Sequence, residues 1–391
     1  MNGQRFTTFR LQTAQLAWVI LAAGRLLLCD AQGPPHESKT LAGLPTTDKN
    51  AEADSALQLG IALTRRGLFT DAIPHFLKAK GRVSDDYALE FNLALCYVGT
   101  AQFQKALPVL TNLRESSHQG AGVENLLAQA YAGDDQVDQA FDALHKAEAL
   151  APNDEKLYLF VAEAFQNRQS YSVSLRVVEL GLQHLPNSAR LHYERGYLLS
   201  LLDDYDAAKK DYRRADQLAP HTEIGYLALA QENLYSGNLT ETIRVSRAAR
   251  AEGIQDYQLL AILGETLIRT GASPGQPEFK EALDALERSV AAKPNYASSQ
   301  IALGHVYLLA QQLGPAIEHL EIGKQLSPRN PAVFSLLASA YRKRGQPEQA
   351  RAMLAILAKL NEEQVQKIRA APGDAKAIPG ASRIDRGREK P

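Results

Sequence analysis

The sequence predicts an all-α chain: a right-handed α-solenoid (superhelix) of antiparallel helix pairs. Three observations predict it. First, small residues recur in one phase: Ala72, Ala106, Ala140, Ser174, Ala208, Thr242, Ala282, Ala316 and Ala350 are spaced by 34 residues, with one step of 40 before Ala282. A second small column lies twelve residues ahead of each, from Gly60, Ala94 and Ala128 through Gly196 to Gly304 and Ala338, except that Gly264 stands behind the insertion that precedes Ala282. Second, large residues keep the same phase, as in Phe76, Leu110, Leu144, Val178, Tyr212, Leu286, Leu320 and Leu354. Third, prolines close the units at Pro152, Pro186, Pro220, Pro294 and Pro328. Small residues let two helices approach, and large ones fill the gap. Apolar spacing of three and four marks each half-unit as an amphipathic helix, and proline cannot continue a helix. One such pair cannot bury its apolar face alone, but stacked pairs can.

Taken in order, residues 1–31 have the layout of a secretory signal peptide. Arg5 and Arg10 precede the apolar run LAWVILAAGRLLLC, and the small Ala31 follows it. Arg25 inside the run argues against this, since a charge at the centre of an inserted helix costs about 2.5–3.5 kcal/mol. The run is too short for a comfortable membrane span. The expected location is secreted or periplasmic. Lipid anchoring at Cys29 is the alternative, weakened by Leu28 where a small residue is usual, and a cytoplasmic location is the other.

Residues 32–52 read as a flexible linker and 53–361 as nine repeats. Residues 362–371 suit a polar helix capping the last repeat, and 372–391 a disordered tail. Two places break the phase. In the sixth unit Asn233, Thr242 and Ser246 stand at core positions, and Ile254 stands where proline is usual. The seventh carries extra residues in its inter-helix loop, 271–279. A hinge or a partner-contacting loop is one reading, and drift in a tolerant array is the other.

Chemistry is scarce. The 391 residues carry a net charge of −1, with 45% hydrophobic and 22% charged residues, so no basic surplus points to nucleic acid. No zinc, phosphate-loop or nucleophile-elbow motif is present. Cys96 sits in an apolar helical stretch and reads as a buried thiol. Asp142, His145 and Glu148 share a helix face, but their counterparts in other units vary in sign and type. That variation is expected of solvated positions, not of metal ligands. No cofactor, no metal and no catalytic residue is expected.

The order of small, aromatic and proline positions resembles the tetratricopeptide-repeat family over about 53–361. The resemblance implies a concave groove that binds a protein or extended peptide, with no catalysis in the repeat itself. It places ten groove candidates: Phe91, Leu95, Asn125, Gln129, Lys156, Arg190, Tyr193, Tyr197, Gln231 and Tyr235. Aromatics there would seat side chains while amides hold peptide backbone. The carboxylate clamp of chaperone-binding members does not carry over. Asn92 matches it, but Leu57 and Ile61 replace a lysine and an asparagine, and Gly122 and Leu126 a lysine and an arginine. The expected function is a non-catalytic, exported interaction scaffold with an unnamed protein partner, no membrane span in the mature chain, and a monomeric state. The alternative is a structural component of an envelope assembly or polysaccharide-export machinery.

Overall fold

The computed structural model describes residues 48–116 and 120–370. The expected signal peptide, most of the linker and the tail lie outside them. The described residues form eighteen α-helices, and none is long and apolar enough to cross a membrane. The chain divides at Thr270 into two compact units.

The first unit holds α1 (Asp48–Arg65), α2 (Phe69–Ala79), α3 (Asp86–Gly99), α4 (Phe103–Glu115), α5 (Ala121–Gly133), α6 (Val137–Leu150) and α7 (Glu155–Asn167). It continues through α8 (Tyr171–His184), α9 (Ala189–Leu201), α10 (Tyr205–Leu218), α11 (Glu223–Tyr235), α12 (Leu239–Ala251) and α13 (Tyr257–Arg269). The second unit holds α14 (Pro277–Ala292), α15 (Ala297–Leu309), α16 (Leu313–Leu326), α17 (Pro331–Lys343) and α18 (Pro347–Ala370). Within each unit, successive helices pack on one another as an α-helical solenoid, and in the first unit α1, α3, α5 and α7 also touch in sequence, as do α9, α11 and α13.

The small columns are where the helices meet. A Cβ on Gly60 would fall 2.7 Å from the Phe76 ring, one on Gly196 3.0 Å from Tyr212, and one on Gly304 2.6 Å from Leu320. Each pair joins the two helices of one hairpin. A second contact joins neighbouring hairpins, because Phe69 lies over Gly99 and Phe103 over Gly133, both too close for a Cβ. Phe76, Leu110, Leu144, Tyr212, Leu286 and Leu320 are all wholly buried.

One turn recurs between the paired helices. Gly67, Ala101, Asp135, Gln169, Asp203 and Gly237 have positive φ, as do Gly271, Gln311 and Gly345. At all of these but Gly271, the next residue donates its N–H back five places, as in Gln102 to the Tyr97 carbonyl (2.8 Å) and Gln136 to Tyr131 (2.9 Å). This is the six-to-one bond of a Schellman cap. The donor is also the N-cap of the following helix, so one residue ends α3 and begins α4. Helices α3, α7, α9, α11, α13 and α17 instead start from side-chain caps: Asp85, Asp154, Ser188, Thr222, Asp256 and Asn330. The prolines directly follow the C-caps Ala151, Leu185, Ala219, Lys293 and Ser327.

The irregular sixth unit is satisfied in another way. Asn233, Thr242 and Ser246 are buried, and each donates to the carbonyl four residues back: Leu229 (2.9 Å), Asn238 (3.1 Å) and Thr242 (2.9 Å). With Ile254 in place of proline, α12 ends at Gly253 (φ 86°), and the Ile254 N–H bonds the Ala249 carbonyl at 3.0 Å. The longer loop holds a further positive-φ glycine, Gly275, after Gly271, and Pro277 opens α14.

Residues 362–370 do not fold as a separate cap. They continue α18 without a break, since no glycine or proline lies between Pro347 and Ala370 to interrupt it.

Polar side chains tie some hairpins together. Asp211 on α10 accepts from His192 Nδ1 (2.8 Å) and, through both oxygens, from Arg195 (2.7 Å each) on α9. Burial pushes the Asp211 carboxyl up, but these donors outweigh it and hold the group below the ordinary aspartate value.

Two outcomes follow. Ala101 occupies a left-handed conformation that costs an L-residue about 1–2 kcal/mol, so Ala101→Gly raises thermal stability by roughly 0.5–1 kcal/mol after its own entropy loss, measured by calorimetry. Asp211→Asn leaves the partly buried Arg195 guanidinium with a weakened partner and lowers stability by about 2–4 kcal/mol at pH 7. Because the folded-state pKa of Asp211 is depressed, its contribution is present above the unfolded value and lost as pH falls through the folded one. The gap between wild type and variant therefore narrows below about pH 4, read from denaturant melts across pH.

Candidate functional site

Helices α3, α5 and α7 present one residue set on adjoining faces. Phe91, Leu95, Val98 and Gly99 of α3, Gly122, Asn125, Leu126 and Gln129 of α5, and Asp154, Lys156, Leu157 and Phe160 at the start of α7 enclose a pocket of about 110 Å³. Its walls are mostly apolar. Tyr87 stacks on Phe91 at 5.9 Å between centroids, which holds that ring in place. Gly122 leaves the mouth open: a Cβ there would reach the Phe91 ring at 3.5 Å, an ordinary contact, and a longer side chain would enter the pocket.

Five of the ten sequence candidates meet here: Phe91, Leu95, Asn125, Gln129 and Lys156. Asn125 does not have the role expected of it. Its amide donates to the Leu157 carbonyl at 2.9 Å and its oxygen accepts from Gln129 at 2.7 Å. It is buried, and it fastens α5 to α7 instead of presenting a free amide to a peptide. Asp154 caps α7 by accepting from the Lys156 N–H at 3.1 Å.

The other five candidates lie on α9 and α11. Tyr193 is not a groove residue: it is only 3% exposed and packs on Tyr212, with ring centroids 5.6 Å apart. Tyr193 and Gly196 are one helical turn apart, and Tyr212 lies against both. The flat space over the glycine draws the tyrosine inward. Gln231 is likewise buried, and Tyr197 is half-buried. Tyr235 is exposed, stacks on Tyr212 at 6.1 Å, lies 5.3 Å from the Tyr205 ring, and donates to Ser200 Oγ at 3.2 Å. With Leu201, Leu202 and Tyr205, all exposed, it adds to the apolar surface around the α9–α10 turn. Arg190 is exposed on α9. Burial raises both the Glu194 and Asp256 carboxyls above their ordinary values, and the Arg190 charge draws each partly back.

The acid–imidazole–acid face of α6 is built differently from a plain solvated surface. Asp142 and His145 are exposed, but the Glu148 carboxylate is largely covered. It takes His145 Nδ1 at 3.0 Å and His184 of α8, whose ring stacks on Tyr158. Glu148 therefore links two hairpins. Its partner His184 is 36 residues away, and no local spacing could have pointed to it. Among the described residues no group of three or more His, Cys, Asp or Glu is arranged to hold a metal. Burial pushes the Cys96 thiol up to about 12, against the pull of Thr64 at 3.2 Å, which leaves it an unreactive core group.

The comparisons bear on the fold. A tetratricopeptide-repeat family model matches residues 189–222, which span α9 and α10. No curated protein matches the sequence. Among solved structures, the chain is similar to one in the crystal structure of the APC/C hetero-tetramer Cut9–Hcn1, with a TM-score of 0.50 and 17% identity. That match covers 81% of this chain, which thus spans only 66% of the other. A tetratricopeptide repeat protein from Parabacteroides merdae gives a TM-score of 0.41 at 15% identity over 74% of this chain and 99% of that one. Yeast Tom70 gives 0.37 at 15% identity over 82% and 95%. The 34-residue phase, the stacked helix pairs and the family match agree on an α-helical repeat solenoid that carries a tetratricopeptide repeat at residues 189–222.

Proposed function

We propose that the chain is a non-catalytic scaffold of nine repeats that holds an extended peptide or a segment of a protein partner, with one apolar side chain of that partner seated between α3, α5 and α7. The carrying observation is the pocket, which gathers candidates from three successive first helices. A cavity of 150 Å³ takes benzene, so about 110 Å³ with an open mouth suits a single aliphatic or small aromatic side chain. Two of the pocket residues, Gly122 and Leu126, stand where the family's carboxylate clamp is basic, which favours an apolar anchor over a C-terminal carboxylate. Tyr235 and Tyr205 supply a second contact area on the same unit, of the aromatic kind that dominates peptide recognition. Residues 1–31 direct export, and the scaffold works outside the cytoplasm.

A random peptide library panned against the full chain tests the binding reading. Wild type is expected to enrich peptides that share one large apolar residue. Gly122→Leu fills the pocket from its mouth and lowers affinity for those peptides about tenfold or more, while its melting temperature holds or rises because leucine is the better helix former. Enrichment of the same peptides by both proteins, or none by wild type, overturns it. N-terminal sequencing of protein recovered from each cell fraction tests export, and an intact Met1 on cytosolic protein overturns it.

A further inference from the structure

The last helix is unlike the second helices before it. At the position where Leu144, Tyr212, Leu286 and Leu320 are fully buried, Leu354 of α18 is 50% exposed. The outward positions that hold Asp142, His145 and Glu148 in α6 hold Ala352, Ala355 and Ala358 in α18, all exposed. Met353, Leu357 and Leu360 already pack in the core of the second unit. The uncovered strip beside them runs Leu354, Ala358, Asn361 and Val365, at steps of four, three and four, which places it on one face of the helix. Val365 is 45% exposed. Alanine at these three positions, with leucine and valine beside them, leaves an apolar strip next to the exposed Arg351 and Glu362.

We propose that this face is covered by α18 of a second copy of the chain, packed antiparallel about a two-fold axis. The register is set by two features that agree. Turning α18 end for end so that Arg351 meets Glu362 of the partner subunit also brings Leu354 over Ala358 of the partner subunit, to within one residue. Large then meets small, as at the hairpin contacts of the array, and the two symmetry-related pairs of opposite charge lie along one edge of the seam, one on either side of the two-fold axis, as an isologous contact allows. Arg351 pairs with Glu348 one turn back on the exposed surface, at 2.8 Å, and reaches a partner by a rotamer change. Glu363 points elsewhere in the same chain, bonding Arg329 at 2.6 Å, which leaves Glu362 as the acid on the strip's border.

Sedimentation equilibrium of the purified full chain tests this. Wild type is expected at twice the monomer mass at micromolar concentration. Leu354→Glu weakens the dimer about tenfold or more with helical circular dichroism and melting temperature kept, since the side chain is half exposed. Arg351→Glu and Glu362→Arg each weaken self-association, and an equimolar mixture of the two variants restores it, because both pairs in the mixed dimer are again opposite in charge. A monomeric wild type overturns the proposal, as does a dimer indifferent to Leu354→Glu, a mixture that fails to recover, or a chain that dimerises only once residues 371–391 are removed, which would show that its own tail covers the face.

Discussion

The contact between a residue with little or no side chain and a large residue on the facing helix is what the rest of this structure depends on. Gly60 under Phe76, Gly196 under Tyr212 and Gly304 under Leu320 let the two helices of a hairpin approach until a Cβ would collide with the ring or branch opposite. Close approach brings many carbon atoms into contact at once, and dispersion is strong only when it is collective. The second contact, Phe69 over Gly99 and Phe103 over Gly133, then hands each hairpin to the next. Every other feature is an accommodation to these two spacings.

The inter-helix turn shows this well. Its geometry is held constant while its residues are not: Gly67, Gly237 and Gly345 sit comfortably at positive φ, whereas Ala101, Gln169 and Gln311 take the same conformation at a cost. The packing on either side fixes where the second helix must start, and the backbone conforms. The sixth unit makes the same point from inside the core. Asn233, Thr242 and Ser246 supply less apolar surface than their counterparts, yet their polar atoms bond carbonyls of their own helix, so the helices keep their places.

The pocket arises from the same constraint. Gly122, a residue without a side chain near the start of α5, leaves space that Leu95, Leu126 and Phe160 line with carbon. A solenoid positions its first helices side by side, so residues far apart in sequence adjoin without a dedicated loop. Binding surface is in this sense a by-product of stacking, and its chemistry is set by which residues stand on the exposed face of three neighbouring helices.

Much was legible in the sequence because it is periodic. Phase alone located the helix pairs, the small and large columns and the proline stops, since helical geometry and steric size act locally and repeat in every unit. The left-handed column was hidden, because fewer than half of its residues are glycine. The fate of individual side chains was hidden too. Tyr193 shares a repeat position with Phe91 and Asn125, yet one is swallowed by Tyr212, one lines a pocket and one is consumed by the Leu157 carbonyl. Glu148 read as a surface acid until His184 reached it from the next hairpin. The sequence by itself determined the secondary structure, the hairpin repeat and the absence of recognised catalytic motifs, all consequences of local spacing. Only the tertiary structure decided which equivalent positions face a neighbour and which face open space, because that depends on the size of a residue one hairpin away.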